Sequence, residues 1–471
     1  MTPTDRSSKR RSPQPPSASR HTVPGRSTPP RSVAVIGSGV AGLTAAHILS
    51  AQAQVTLYES DDRLGGHAHT HRVPMPDGTH LAVDSGFIVH NDRTYPTVSR
   101  LFDDLGVATQ DSDMSMSVSS QINGLEYAGA LGISGLFPTP RNLVRRHYLA
   151  MLVEIKRFHR EARRLLDDAA SASDEPLDDF LIRTGFSGYF RDNFLYPLVA
   201  AVWSCSDADA GRYPARYLFT FLDHHGMLSV YGSPTWRTVV GGSITYVDAV
   251  AAEITARAGS IRTGAAVTRI DDASDGVWLT ADDGCGPTLF EAAVIATHPH
   301  QALRMLTAPT PATQRTLGAI RYLPKPAVLH SDTSLLPRAR RAWASWNQQI
   351  RVDAGEAGVG VAVTYDLTRL MRLPTSRPRM LVTLGRTDLV NPRAIHAEMT
   401  YEHPLYTTES VAAQRLLPTI DTDRIVFAGA YHGWGFHEDG AASGERAAAR
   451  LGVRWDSRPT EVVPALSLIH I

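Results

Sequence analysis

Residues 32–59 constrain the fold more than any other stretch of the chain. Ser32–Ile36 is a short apolar run rich in Val and Ile, residues 40–50 carry an Ala/Leu helical pattern, and Gln54–Tyr58 is a second apolar run. Strand, helix and strand in so short a span make a βαβ unit, which imposes a parallel sheet and a right-handed crossover. The turn between the first strand and the helix reads Gly37-Ser38-Gly39-Val40-Ala41-Gly42. In such a turn Gly37 permits the tight bend, Gly39 lets the backbone approach a pyrophosphate, and Gly42 lets the helix pack closely, while the helix N-terminus meets the negative charge. Glu59 follows at the end of the second strand, twenty residues after Gly39. A carboxylate there accepts hydrogen bonds from ribose hydroxyls and repels a 2′-phosphate, which disfavours NADP.

The same sheet continues far downstream. Residues 242–257 read as a helix, residues 265–270, 276–281 and 292–297 as strands, and residues 425–428 as a further strand. Two long segments of different character lie between these pieces. The expected organisation is therefore a discontinuous nucleotide-binding domain (residues 32–90, 237–306 and 424–452) with a second domain inserted in two parts (91–236 and 307–423). Residues 1–31 are rich in Ser, Pro and Arg and lack an apolar run, so disorder is expected there and no secretory signal is evident. Residues 453–471 are expected to form a tail.

Composition narrows the function. With 471 residues and 43% hydrophobic content the chain can build more than one core, and 47 basic against 47 acidic residues give no field that would attract a polyanion. Nucleic acid is not an expected partner. Cys205 and Cys285 are the only cysteines, too few for a disulfide framework or a thiolate metal site, and a reducing, cytoplasmic location follows as the expectation. No apolar stretch reaches the roughly 18 residues of a membrane span; the best run, residues 194–206, contains Pro197 and reads as buried core.

Two more glycine-rich elements accompany the first. Arg63-Leu64-Gly65-Gly66-His67 places a second turn and a cation close to the same pyrophosphate. Almost 400 residues on, a strand ending at Gly429 leads into a Gly/aromatic loop containing Tyr431, Trp434 and Gly435, and then into a small-residue helix beginning near Glu438. That helix aims a second dipole end at whatever the loop encloses.

These three elements, in this order, resemble the flavin-containing amine oxidoreductase superfamily over about residues 32–452, a group that includes monoamine and polyamine oxidases and phytoene-type desaturases. Asp84-Ser85-Gly86-Phe87-Ile88-Val89-His90-Asn91, the segment from Trp236 to Ser243, and Gly435-Phe436-His437-Glu438-Asp439-Gly440 look more closely like a bacterial branch of predicted NAD/FAD-binding proteins. The branch is often encoded beside cyclopropane-fatty-acid-synthase-like methyltransferases, and relatives are implicated in desaturating methylated acyl chains. The resemblance implies an α/β fold, a Rossmann-like FAD-binding domain with a discontinuous α+β substrate domain. It implies FAD as cofactor, held by Gly37, Ser38, Gly39, Val40, Ala41, Gly42, Glu59, Ser60, Arg63, Gly65, Gly66, His67, Gly86, Phe87, Val267, Gly429, Gly435, Phe436, Glu438 and Asp439. No metal is implied. Two positions depart from the pattern: Ala430 stands where many relatives carry an acid, and Phe436 where amine oxidases often place a cage tyrosine.

The chemistry expected from this resemblance is removal of a hydride from a C–H bond of an apolar, fatty-acyl or lipid substrate. The alternatives are an amine oxidase and a non-redox FAD enzyme of the UDP-galactopyranose mutase kind. The electron acceptor stays open between oxygen, a quinone and a protein. Lys325 aligns near a lysine that reaches the flavin through water in amine oxidases, and is one of three lysines in a chain with 44 arginines; with Phe436 and His437 it forms the candidate catalytic set. A solvated lysine between two prolines is the other reading. His67, His298, His330 and His432 fall near strand ends or loops without metal-ligand spacing. Trp343, Trp346 and Asn347 line the substrate cavity or fill core. Finally, residues 143–166 form an amphipathic, strongly basic helix pattern, which either lies solvated on the insert or rests peripherally on an anionic membrane face.

Overall fold

The computed structural model describes residues 26–168, 175–203, 207–229, 233–352 and 359–455. Five parallel strands form the nucleotide-binding sheet in the order Ser260–Arg262, Gln54–Tyr58, Ser32–Ile36, Ala292–Ile295, Ile425–Phe427. Pairing sets Ile36 level with Tyr58 and with Ile295, and Ile295 level with Phe427. The next residues, Gly37, Glu59, Ala296 and Ala428, therefore leave the sheet along one carboxyl edge, where ligands of open α/β sheets bind.

Strand alternation divides the sheet into two buried faces. Val33, Val35, Val55, Leu57, Val294 and Val426 point into one core, shared with the helices Val40–Leu49, Ile244–Ala256 and His437–Arg450. Ala34, Ile36, Tyr58, Ala293, Ile295 and Phe427 point into the other, shared with a three-stranded antiparallel sheet formed by Val267–Ala273, Gly276–Ala281 and Thr288–Phe290. Burial on both faces explains why these strands read as continuous apolar runs.

A seven-stranded sheet joins the two inserted segments. Its order is Ile395–Pro404, Tyr322–His330, Leu381–Gly385, Val359–Asp366, Trp346–Val352, Met116–Ser120, Glu126–Ala128, with Met116–Ser120 parallel to Trp346–Val352 and the other pairs antiparallel. The helices Arg146–Asp167, Leu177–Thr184, Tyr196–Trp203 and Ala215–His224 pack an aromatic core that includes Phe158, Phe180, Phe190, Phe219 and Phe221. The apolar run near Phe194 is thus core, as its Pro197 suggested; residues 204–206 lie outside the described residues. Among the described residues no helix is long and apolar enough to cross a membrane.

The expected tails begin further out than composition suggests. The Arg26 backbone N–H donates to the Arg450 carbonyl at 3.1 Å, and Arg31 pairs with Glu291 at 2.9 Å. Val453 is fully buried, and the Trp455 indole N–H donates to Asp104 at 2.8 Å beneath the Arg100 guanidinium. Two apolar residues spaced so as to reach an existing core are enough to order a short polar segment. The remainder of both expected tails lies outside the described residues.

The helices Val40–Leu49 and His437–Arg450 meet backbone to backbone. A Cβ added at Gly440 would stand 2.6 Å from Val40 Cγ1, and one added at Gly444 would stand 2.3 Å from the Ala41 carbonyl oxygen. Alanine normally gains about 1 kcal/mol over glycine inside a helix, but forcing two backbones apart costs about 1–3 kcal/mol. Gly444→Ala is therefore expected to lower the urea midpoint at unchanged slope; a raised midpoint would contradict this close approach.

Candidate functional site

A continuous cavity of about 1050 Å³ runs between the carboxyl edge of the parallel sheet and the insert. The glycine turn forms one wall. Gly37 has φ +98°, and a Cβ there would press on the Ala296 carbonyl at 2.9 Å; a Cβ on Gly42 would stand 1.9 Å from the Gly37 carbonyl oxygen. Both glycines are thus required by packing. Gly39 differs: a Cβ there would meet nothing within 4 Å, because it faces the cavity. Gly39 is also the N-cap of the helix Val40–Leu49, and no side chain caps it. The first-turn N–H groups are left for an anion.

Glu59 lines the cavity beside this turn. Its Oε2 accepts from the Ser38 N–H at 2.9 Å and the Ser38 hydroxyl at 2.6 Å, and its Oε1 from the Ser60 hydroxyl at 3.1 Å and the Asp61 N–H at 3.0 Å. Hydroxyl donors rotate, so a ribose O–H can take the place of Ser60 without leaving the carboxylate short of a partner. The second glycine turn packs on the first: the Gly65 N–H donates to Ser38, and Gly66, at φ +56°, lies against Gly39. Arg63 lines the cavity and donates to the Gly66 carbonyl at 2.9 Å. An uncapped helix start, a rotatable carboxylate shell and an adjacent guanidinium fit the ribose and pyrophosphate of FAD.

The structure brings most of the expected residues to this cavity. Gly37, Ser38, Gly39, Val40, Ala41, Glu59, Ser60, Arg63, Gly66, His67, Gly86, Phe87, Val267, Gly429, Ala430, Gly435, Phe436 and His437 all line it. Gly42 and Gly65 stand behind the wall and serve its packing.

Glu438 and Asp439 are corrections, since neither lines the cavity. Glu438 accepts from the Thr97 and Val98 N–H groups at 2.9 and 3.0 Å, capping the helix Pro96–Leu105. Asp439 accepts from the Phe436 N–H at 2.9 Å, capping its own helix, and burial pushes its carboxyl up to about 7. Lys325 is half-buried on the strand Tyr322–His330, directly opposite Tyr401, which lines the cavity, while Lys325 itself is not among the lining residues; burial first, and then the Lys325 charge, disfavours protonation of His403, which does line the cavity. Of the tryptophan cluster only Trp346 reaches the cavity, because Trp343 hydrogen-bonds the Pro337 carbonyl and Asn347 turns into the sheet. His67, His298 and His437 line it, whereas His330 and His432 are buried elsewhere.

Residues from the insert make the remaining wall, and they are largely aromatic or aliphatic. Phe436 stacks on Phe221 with ring centroids 5.0 Å apart, flanked by Trp203 and His225. Trp236, Trp346, Tyr365, Leu384 and Met399 extend the lining. His437 stacks on Phe87 at 3.7 Å and meets the Tyr246 hydroxyl at 2.9 Å; burial lowers its pKa to about 3, so it is neutral. One cluster escaped sequence reading. His298 Nδ1 lies 2.6 Å from Glu402, with His300 Nε2 at 3.7 Å, a trio with metal-ligating side chains assembled from a sheet-edge loop and the strand Ile395–Pro404. The His-x-His spacing was visible; the carboxylate a hundred residues on was not.

Two tests follow from this geometry. Gly39→Ala adds a methyl to open space, so the flavin-free protein is expected to melt as the parent does while FAD affinity drops by more than about tenfold; equal affinity would place the pyrophosphate elsewhere. The second concerns acid. Burial lowers His69 and His437 to about 3 and His90, His159, His225, His330 and His403 to about 4. A histidine depressed from 6.5 stabilises the fold above that pH, and the contribution is lost as pH falls toward 4, because unfolding then takes up a proton. Burial also raises Asp84 and Asp421 to about 6 and Asp439 to about 7, which acts the opposite way, since unfolding releases their protons. The histidines outnumber the carboxyls, so Tm is expected to fall by about 3–5 °C per pH unit between pH 6 and 4.5. A Tm that rises across that window would contradict the neutral-histidine lining.

Comparison with known proteins bears on this arrangement. The family model described as flavin containing amine oxidoreductase matches residues 40–330. AofH of Mycobacterium tuberculosis, a protein named as a flavin-containing monoamine oxidase, is 29% identical over 259 residues, which are 54% of this chain and 54% of that protein. The chain thus spans about half the length of the curated relative it matches. Cyclohexylamine oxidase from Brevibacterium oxydans IH-35A has the same fold, with a TM-score of 0.63 and 17% identity over 90% of this chain and 99% of that one. A CLA-producing fatty acid isomerase from P. acnes also shares it, with a TM-score of 0.61 and 15% identity over 89% and 98%. With more than half its length covered by that family model, the chain belongs to the flavin-containing amine oxidoreductase family.

Proposed function

We propose that this protein is an FAD-dependent oxidoreductase that removes two hydrogens from an apolar, fatty-acyl-type substrate. An amine oxidase and a fatty acid isomerase share its fold, so fold does not choose a substrate. The lining does. Among the described residues that the insert contributes to the cavity, the one carboxylate is Glu402, and His298 already occupies it at 2.6 Å. A substrate ammonium is best compensated by a free acid, and among the described residues the insert offers the cavity none; the aromatic rings alone would give it cation–π contacts without a counter-charge. An alkyl chain needs only the apolar rings and aliphatic groups that are present. Among the described residues no arginine of the insert lines the cavity, although a nucleotide-sugar diphosphate would call for one, so the mutase reading loses support.

Bound FAD would supply the hydride acceptor, and the protein's task is to position, shield and tune. The first turn of Val40–Leu49, Glu59 and Arg63 would hold the dinucleotide. Phe221 and Phe436, stacked with ring centroids 5.0 Å apart, would form an apolar wall against the chain to be oxidised. Burial keeps His67, His225, His403 and His437 neutral, so these four histidines add no positive charge to the wall. Removal of two hydrogens would break two C–H bonds and form a C=C bond, the hydride being accounted for by the acceptor that bound FAD would supply and the proton by solvent; oxygen, a quinone or a protein would be the final electron acceptor.

Anaerobic mixing of the FAD-loaded protein with an acyl-phospholipid, an alkylamine and an isoprenoid tests the reading. Bleaching of the oxidised-flavin band by the acyl lipid is expected; bleaching by the amine alone would replace it with the amine oxidase reading.

A further inference from the structure

We propose that the basic helix Arg146–Asp167 and the segment before it form a docking surface for an anionic membrane. The helix has two opposed stripes. Tyr148, Met151, Phe158, Ala162 and Leu165 are buried in the insert core. Leu149, Val153, Lys156, Arg160, Arg163 and Arg164 fall on the other side by helical spacing, and all six are exposed. Residues 141–166 hold eight basic and two acidic residues in a chain whose totals balance. Basic charge alone would be an ordinary solvated face.

The aliphatic residues make the difference. Seven of the ten exposed large hydrophobics among the described residues fall between Ile122 and Ile182, including Ile133 (80%), Leu143 (58%), Val144 (78%) and Val153 (69%). The segments that carry them are tied to the helix and to its N-terminal approach: the Tyr148 hydroxyl donates to the Leu136 carbonyl, Arg145 to the Asn123 carbonyl, and Arg157 to the Gly185 carbonyl, each at 2.8 Å. Exposed aliphatics beside a surplus of cations suit a surface that is negative outside and hydrocarbon beneath. A soluble acidic partner would use the cations and leave Val144 and Val153 in water.

The position relative to the substrate cavity fits the same occupant. A second cavity of about 460 Å³ opens at the C-terminal half of the helix, lined by Lys156, His159, Arg160, Arg163, Arg164 and Asp167 together with Leu228 and Ser229. Arg163 donates to the Leu228 carbonyl, and Met227, one residue earlier, lines the large cavity. The basic pocket and the large cavity are thus bordered by consecutive residues, Leu228 and Met227. Docking is independent of the substrate reading, since its test measures binding and not turnover.

The test is co-sedimentation of the FAD-loaded full chain with phosphatidylcholine vesicles, with and without phosphatidylglycerol, at physiological salt. Binding only to the anionic vesicles is expected. Each near-surface cation contributes roughly a fivefold factor, so Lys156→Glu/Arg160→Glu is expected to weaken binding more than about tenfold. Val144→Asp/Val153→Asp is expected to weaken it severalfold with an unchanged salt dependence, and an unchanged flavin spectrum verifies the fold of both variants. Equal sedimentation with neutral vesicles, no sedimentation, or both variants binding like the parent would overturn the proposal.

Discussion

Backbone has to approach backbone at the carboxyl edge of the parallel sheet, and the rest of the structure depends on that approach. Gly42 brings the helix Val40–Leu49 onto the turn that precedes it, and Gly444 brings the C-terminal helix onto the first. With these contacts made, the uncapped start of Val40–Leu49 and the loop from Gly429 to Gly435 face the same space, although almost 400 residues separate them. A side chain at either glycine would pry the two walls apart before it touched any ligand.

Electrostatics then separates the cavity by origin. The nucleotide-binding half carries Glu59, Arg63 and free helix N–H groups, suited to a polar, anionic dinucleotide. The insert half carries rings, aliphatic groups and histidines that burial keeps neutral. Among the described residues its one lining carboxylate, Glu402, is engaged by His298. The carboxyls that follow the flavin loop, Glu438 and Asp439, spend their hydrogen bonds on helix caps, so they stabilise the frame and leave the cavity apolar.

What could be read from sequence was what is local. The glycine turn, Glu59 and the buried strands announce themselves through spacing and period, because strand, turn and helix are adjacent in the chain. Glu438 was misassigned because its partners, the Thr97 and Val98 N–H groups, lie about 340 residues away. Lys325 stands opposite Tyr401 in the antiparallel pair and so shares a face with the lining residues Tyr401 and His403, a placement that depends on strand register and not on any local pattern. Trp343 and Trp346 look alike in sequence, yet only Trp346 starts the strand that borders the cavity. The His298–Glu402 contact depends on how the sheet edge meets a loop, which no local pattern encodes.

The central claim is that three remote segments together hold one FAD per chain. Its most direct measurement is the visible absorbance and flavin content of the purified protein, before and after incubation with FAD and removal of the excess. The account predicts an oxidised-flavin spectrum at one FAD per chain, abolished when Glu59 and Arg63 are both replaced. A native, folded protein that stays colourless after reconstitution would contradict it.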